Sequence, residues 1–207
     1  MGVRVSLRAQ IKDMARKIIL ASTSPKRKEL LAKAGLKFEV VSSDYIEDMT
    51  LPLAPRELAT FLSRGKAETV VKKYKNAVII SADTFIYFKG KVIGKPHTKE
   101  KALETLKKLS GHTHSVFTGF TVIDTKNSKI ISQAVETKIT FKKLSIKIIK
   151  DYIKEGNPLK YAGSYTLNDI TEKSFVEKVE GDSLNVIGLP VSVLMKVLKK
   201  FGIEVKN

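Results

Sequence analysis

Ile18-Ile-Leu-Ala-Ser-Thr-Ser-Pro-Lys-Arg-Lys-Glu-Leu-Leu31 reads as a strand, a turn and the start of a helix. The apolar run stops at Ala21, and Ser22, Thr23 and Ser24 form a hydroxyl-rich turn. Ser24 suits a helix N-cap and Pro25 the first helical position, where a missing N–H costs nothing. Lys26, Arg27 and Lys28 then crowd the first helical turn. A helix N-terminus carries partial positive charge and favours acidic residues, so three cations there call for an anion among them. A phosphate group, held by helix N–H groups, hydroxyls and basic side chains together, meets that need.

Outward from this stretch, residues 1–16 form an N-terminal extension and residues 17–207 a single domain. The first helix is expected to close near Gly35, and residues 38–41 read as a second strand. Pro52 and Pro55 lead into a helical pattern running to about Tyr74. Residues 77–82 are apolar throughout, the mark of a strand buried on both faces. Residues 85–88 and 91–93 flank Lys89-Gly90 as a hairpin. Thr98 caps a helix whose inner face is Ala102, Leu103, Leu106 and Leu109. Residues 116–123 and 129–141 follow as strands, and Ser145 opens another helix that stops near Gly156. Residues 160–188 mix short strands with loops. A last helix over 191–201 puts Leu194, Val197, Leu198 and Phe201 on one face, either core or a subunit interface. Strands alternating with helices predict an α/β protein with a central sheet.

The 207-residue chain carries 38 Lys and Arg against 21 Asp and Glu, a formal net charge of +17. That balance favours polyanionic partners: nucleotides, nucleic acid or an acidic membrane surface. The chain has no cysteine, which excludes disulfides, thiol catalysis and cysteine-ligated metals and fits a cytoplasmic protein. No apolar run is long enough to span a bilayer, so no membrane partner is expected. No zinc finger, RNP motif or helix-turn-helix favours nucleic acid as the partner.

Several residues are placed for chemistry. Asp83 follows the buried run directly, where a carboxylate at a strand end can hold Mg²⁺ or activate water. Asp44, Glu47 and Asp48 form an acidic group that either coordinates a divalent ion or is simply solvated. Gly94-Lys95-Pro96 fails the P-loop pattern, since Gly90 is one residue too close and Pro96 replaces the hydroxyl residue. Lys95 still offers a point charge for a phosphate. His112 and His114 lack a third ligand at suitable spacing and read as structural.

Taken together and in order, these segments resemble the Maf family of nucleotide pyrophosphatases. Leu20-Ala-Ser-Thr-Ser-Pro-Lys-Arg-Lys-Glu-Leu-Leu31 is similar to its opening motif. Phe38-Glu-Val-Val41 with Glu47, Gly65-Lys66-Ala67, and Ser81-Ala82-Asp83-Thr84 follow it. Gly94-Lys95-Pro96, Ser110-Gly111-His112-Thr113-His114 through Gly119, Ala162-Gly163-Ser164-Tyr165, and Asn185-Val186-Ile187-Gly188-Leu189-Pro190 complete the series. The resemblance implies an elongated ITPase-like fold: a mixed central β-sheet flanked by helices, with a cleft between two lobes. It implies hydrolysis of a nucleoside triphosphate to monophosphate and pyrophosphate with a divalent cation (Mg²⁺, Mn²⁺ or Co²⁺), and a homodimer. Asp83 would be the proton acceptor and Glu47 its partner at the metal. Ser22, Ser24, Arg27, Lys66 and Lys95 would face the triphosphate, and Lys26, Thr84 and Asn168 would also bind the substrate.

Base preference is where the chain departs from the pattern. Thr84 agrees with the branch acting on dTTP and UTP, which usually has Arg at the position of Lys26. The branch acting on 7-methyl-GTP tends to carry Trp there. After Tyr165 the pyrimidine branch continues Gly-Ile-Gln-Gly, whereas this chain has Thr166-Leu167-Asn168-Asp169, with Asn168 as the shorter amide. Lys160-Tyr161 replaces the family's Asp-Lys. The expected substrate is dTTP, UTP or a related non-standard nucleotide. Another base such as 7-methyl-GTP, or a basic nucleic-acid-binding regulator without activity, stands as the alternative.

Overall fold

The computed structural model describes residues 16–167 and 175–204. Three strands of twelve residues each, β3 (Ala77–Phe88), β5 (Thr113–Asp124) and β6 (Ile130–Phe141), form the spine. At about 3.3 Å per residue each runs roughly 40 Å, which makes the sheet long in one direction. β1 (Lys17–Leu20) and β2 (Glu39–Val40) add in parallel beside the first part of β3. β4 (Lys91–Ile93) pairs with the far end of β3, and β7 (Val176–Glu180) with the far end of β6. The seven-stranded mixed sheet has the order β2-β1-β3-β5-β6-β7, with β4 on β3.

Strand pleating assigns the helices to faces, because successive side chains point to opposite sides. On one face Ile79, Phe85 and Phe117 pack against α2 (Pro55–Val71). On the other, Val78, Ile80, Ala82 and Phe120 meet α1 (Pro25–Lys33) and α6 (Val191–Lys199). Farther along that second face, Ile86 and Val116 pack with α3 (Lys99–Leu109) and α4 (Ile146–Glu155). Two lobes result, one around β1, α1 and α6, the other around α3 and α4, joined by the long strands. Leu194, Val197 and Leu198 are buried in the first lobe, so the face of α6 that sequence left open between core and interface is core.

Most expected elements are present, with Ser24, Thr98 and Ser145 capping their helices as read. β3 is the main correction. The two strands expected at 77–82 and 85–88 are one continuous strand, with Asp83 in its middle rather than at its end. β5 pairs with it continuously from Val78 to Tyr87, so the ladder carries Ser81, Asp83 and Thr84 across the break in hydrophobicity.

The opposite edge of β3 is interrupted. β1 pairs with residues 77–80 and β4 with residues 86–88. Among the described residues, 81–85 have no strand partner on that edge. β1 has ended there, and the chain turns through Ser22–Ser24 into α1. The cleft opens in this gap.

Candidate active site

A cleft of about 630 Å³ lies between the lobes. Ser22, Ser24, Lys26, Arg27, Thr84 and Lys95 all line it, as do Glu47 and Lys66. Every expected site residue except two therefore meets in one place. Asn168 lies outside the described residues. Asp83 is 3% exposed and is not part of the lining, but it is bonded to Lys66, which is.

The pleat decides what Asp83 and Thr84 touch. Asp83 shares a face with Ile79, Ser81 and Phe85, so it points to α2, where the Lys66 ammonium bonds Asp83 Oδ1. The same ammonium lies 2.6 Å from Glu47 Oε1. Lys66 thus ties the two acids together rather than standing free at a phosphate, although an ammonium with two N–H groups engaged keeps a third for a ligand. Thr84 points to the other face, where its hydroxyl takes a hydrogen bond from Arg27 Nη2 at 3.1 Å.

Two glycines bring α2 and the Glu47 loop this close. Gly119 pairs with Asp83 across the ladder, and a Cβ there would lie 1.9 Å from the Ala59 carbonyl oxygen of α2. Without a side chain at 119, α2 settles onto the sheet beside Asp83. A Cβ at Gly65 would fall 2.3 Å from the Tyr45 ring. That ring packs on α2 one residue before Lys66 and carries the loop that holds Glu47.

The first turn of α1 resolves its excess of cations unevenly. Lys28 is exposed and outside the cleft, so it takes no part in the expected anion cradle. Lys26 lies 3.7 Å from Glu29 while still lining the cleft. Arg27 folds inward: Nε donates to the Gly188 carbonyl at 2.9 Å and Nη1 to Ser22 Oγ at 3.2 Å. Burial lowers the Arg27 pKa, and the charges of Asp83 and Glu47 oppose that shift. Ser22 Oγ also accepts from the Ser24 N–H, so its own O–H remains to donate.

Burial also dominates at Asp83, raising its pKa; Lys66 and Arg27 pull it down and Glu47 pushes it up. Its Oδ2 is buried and unpartnered. No cluster of three or more metal-ligating side chains occurs among the described residues. Two carboxylates converging on one point, with one oxygen unused, nevertheless fit Mg²⁺, which takes one or two protein carboxylates and completes its shell with phosphates and water.

Sequence reading missed the supports of this site. Asn185, fully buried in α5 (Ser183–Ile187), donates to the Val116 carbonyl at 3.1 Å and to Thr137 Oγ1 at 3.0 Å. Its own carbonyl accepts from Thr118. These bonds fix α5 on the sheet and aim the Gly188 carbonyl at Arg27. The 185–190 turn signalled close packing, but nothing in it named Arg27 as the partner. His114 is structural as expected, with Nε2 2.6 Å from the Tyr165 hydroxyl.

Fold and cleft together define an α/β protein whose cleft gathers basic side chains beside paired carboxylates. The chain belongs to the Maf family: the family model described as Maf-like protein matches residues 17–201. It is 43% identical over 185 residues to a protein of Thermoanaerobacter sp. (strain X514), covering 89% of this chain and 96% of that one. It is 42% identical over 191 residues to one of Methanosarcina barkeri (strain Fusaro / DSM 804), covering 92% and 96%. A protein of Clostridium tetani (strain Massachusetts / E88) is 42% identical over 189 residues, covering 90% and 98%. All three relatives are named dTTP/UTP pyrophosphatase.

Proposed function

We propose that this protein, through a single catalytic domain over residues 17–207, hydrolyses dTTP, UTP or a related non-standard nucleotide to the monophosphate and pyrophosphate. The observation that carries this reading is the Glu47–Lys66–Asp83 group, set opposite Arg27 at one cleft. Likeness to relatives named dTTP/UTP pyrophosphatase supports the pyrimidine preference.

In this reading the triphosphate lies along Ser22, Ser24, Lys26 and Arg27, with Lys95 and the third N–H of Lys66 completing the cationic wall. Thr84 holds the Arg27 guanidinium in place, and Asn168 takes a part in reading the base. Water attacks the α-phosphorus while pyrophosphate leaves, and negative charge grows on phosphate oxygens. Fixed cations stabilise that charge without reorganising. Asp83 accepts the proton of the attacking water; burial raises its pKa, which makes the carboxylate a stronger base. Glu47 and Asp83 would hold the divalent cation (Mg²⁺, Mn²⁺ or Co²⁺), which when bound neutralises phosphate charge and polarises the scissile bond. Lys66 keeps the two carboxylates converged.

No helix among the described residues is long and apolar enough to cross a membrane, and the proposed location is the cytoplasm. The expected homodimer must use a surface other than the buried face of α6, and sedimentation at two concentrations tests it. A panel of nucleoside triphosphates, including 7-methyl-GTP, with product identification tests the reaction and base together. Pyrophosphate released fastest from UTP and dTTP is expected. Release of single phosphate contradicts the reaction, and faster turnover of 7-methyl-GTP contradicts the base assignment.

A further inference from the structure

The cleft lining is chemically mixed: Ser22, Arg27, Glu47, Lys66, Lys95 and Lys160 make its polar part, and Ile86, Leu159 and Val186, which belong to the hydrophobic cluster of the far lobe, make its apolar part. Thr166 also lines the cleft, between Tyr165 and Leu167, both buried in that same cluster. Thr166 is 4% exposed, and its Oγ1 is buried without a hydrogen-bond partner. Among the described residues, buried unpartnered side-chain atoms occur at Arg16, Asp83, His114, Ser164, Thr166 and Asn185, and Thr166 is the one of these that lines the cleft. A hydroxyl taken out of water and left unpaired is unfavourable, and such groups in native proteins have a reason.

The backbone before Thr166 is strained and firmly held. Gly163 and Ser164 are both left-handed, at φ 66° and 72°. For serine that conformation is costly and persists only where the surroundings impose it. They do: the Gly163 N–H donates to the Gly94 carbonyl at 3.0 Å and the Ser164 N–H to the Tyr161 carbonyl at 3.1 Å. A Cβ at 163 would lie 1.9 Å from Ile86 Cδ1, which would have to swing aside, and the left-handed backbone disfavours any side chain there. The Tyr165 hydroxyl is anchored on His114 Nε2. Thr166 is thereby fixed in the part of the lining that Ile86, Leu159 and Val186 make apolar.

We infer that the Thr166 hydroxyl is a hydrogen-bond contact to the edge of the substrate's nucleobase, holding a pyrimidine ring against the wall of Ile86, Leu159 and Val186. The inference rests on the pyrophosphatase reading. Polarity sets the orientation of the nucleotide: the triphosphate goes to the cations and the flat, weakly polar ring to the apolar wall. A pyrimidine edge carries carbonyl acceptors and a ring N–H, and a hydroxyl both donates and accepts, so either can satisfy Thr166.

The test compares wild type with T166V, which keeps the shape and removes the hydroxyl, and T166S, which restores it. Substrates are UTP and dTTP, and inorganic tripolyphosphate serves as a base-free competitive inhibitor. T166V is expected to raise KM for both nucleotides about ten-fold, equivalent to about 1.4 kcal/mol, with the loss in kcat/KM carried by KM. T166S stays within about three-fold of wild type, and the tripolyphosphate inhibition constant is the same in all three. T166V melts no lower than wild type, since the hydroxyl it loses has no protein partner; if it melts lower, T166A is examined for the same split. An unchanged KM in T166V, or an equal rise in the tripolyphosphate inhibition constant, overturns the inference. A rise confined to UTP moves the contact to the ribose and overturns the base assignment. If wild type releases no pyrophosphate from either nucleotide, the underlying reading fails first and takes this one with it.

Discussion

Asp83 is held beneath Lys66 with one oxygen bonded and the other unpartnered, and burial raises its pKa. Two consequences belong to this residue. Asp83→Asn removes the proposed proton acceptor while preserving shape, and should lower kcat by about 10²- to 10⁴-fold with native secondary structure by circular dichroism. The sign of the pH effect follows from the direction of the shift. In the metal-free enzyme burial moves the titration of the Asp83 carboxyl, followed by NMR, above the ordinary aspartate range, and a titration at or below that range contradicts the burial argument. Asp83 was legible in sequence because it ends an apolar run and begins Asp83-Thr84. That the two residues serve opposite faces also follows from the pleat. Its place in mid-strand was not legible, since a charged residue interrupts the hydrophobic pattern just as a strand end does. The bonds of Arg27 to Thr84 and Gly188 join residues far apart in the chain, and no local pattern carries that information.

Among elements, α2 depends most on a residue outside itself. Gly119 leaves the space through which the Ala59 carbonyl approaches the sheet. Because the obstacle is backbone, Gly119→Ala forces the helix away and should cost about 3 kcal/mol or more, read as a drop in the urea midpoint. The same displacement pulls Lys66 from Asp83, so activity in the surviving folded fraction should fall as well. In the far lobe, His114 joins β5 to the segment that walls the cleft. Burial lowers its pKa to about 4 from 6.5. Between those values the unfolded chain binds a proton that the folded one refuses, so stability is full above about pH 6.5 and is lost as pH falls towards 4. The loss reaches up to about 3 kcal/mol. Denaturation midpoints at pH 7 and pH 4.5 should diverge less in His114→Gln than in wild type. Helix starts were read correctly at Ser24, Thr98 and Ser145 because capping is local chemistry. β2, two residues long, was overextended because its neighbours are equally compatible with a strand.

For the molecule as a whole, the interrupted edge of β3 links fold to function. β1 stops where β4 has not begun, and the gap exposes Thr84 to α1 and sets Asp83 under α2. The α/β class was readable from alternating elements; the gap was not, because it depends on register between strands. With 38 Lys and Arg against 21 Asp and Glu, the chain is strongly basic, yet its cleft floor holds two carboxylates. Bare nucleic acid would be repelled by that floor, whereas a triphosphate brings its own cation. The account stands on water attacking the α-phosphorus. Hydrolysis of UTP in H₂¹⁸O with Mg²⁺, followed by mass analysis of the products, tests this most directly. The account predicts one ¹⁸O in UMP and none in pyrophosphate; label in the pyrophosphate, or release of single phosphate, contradicts it.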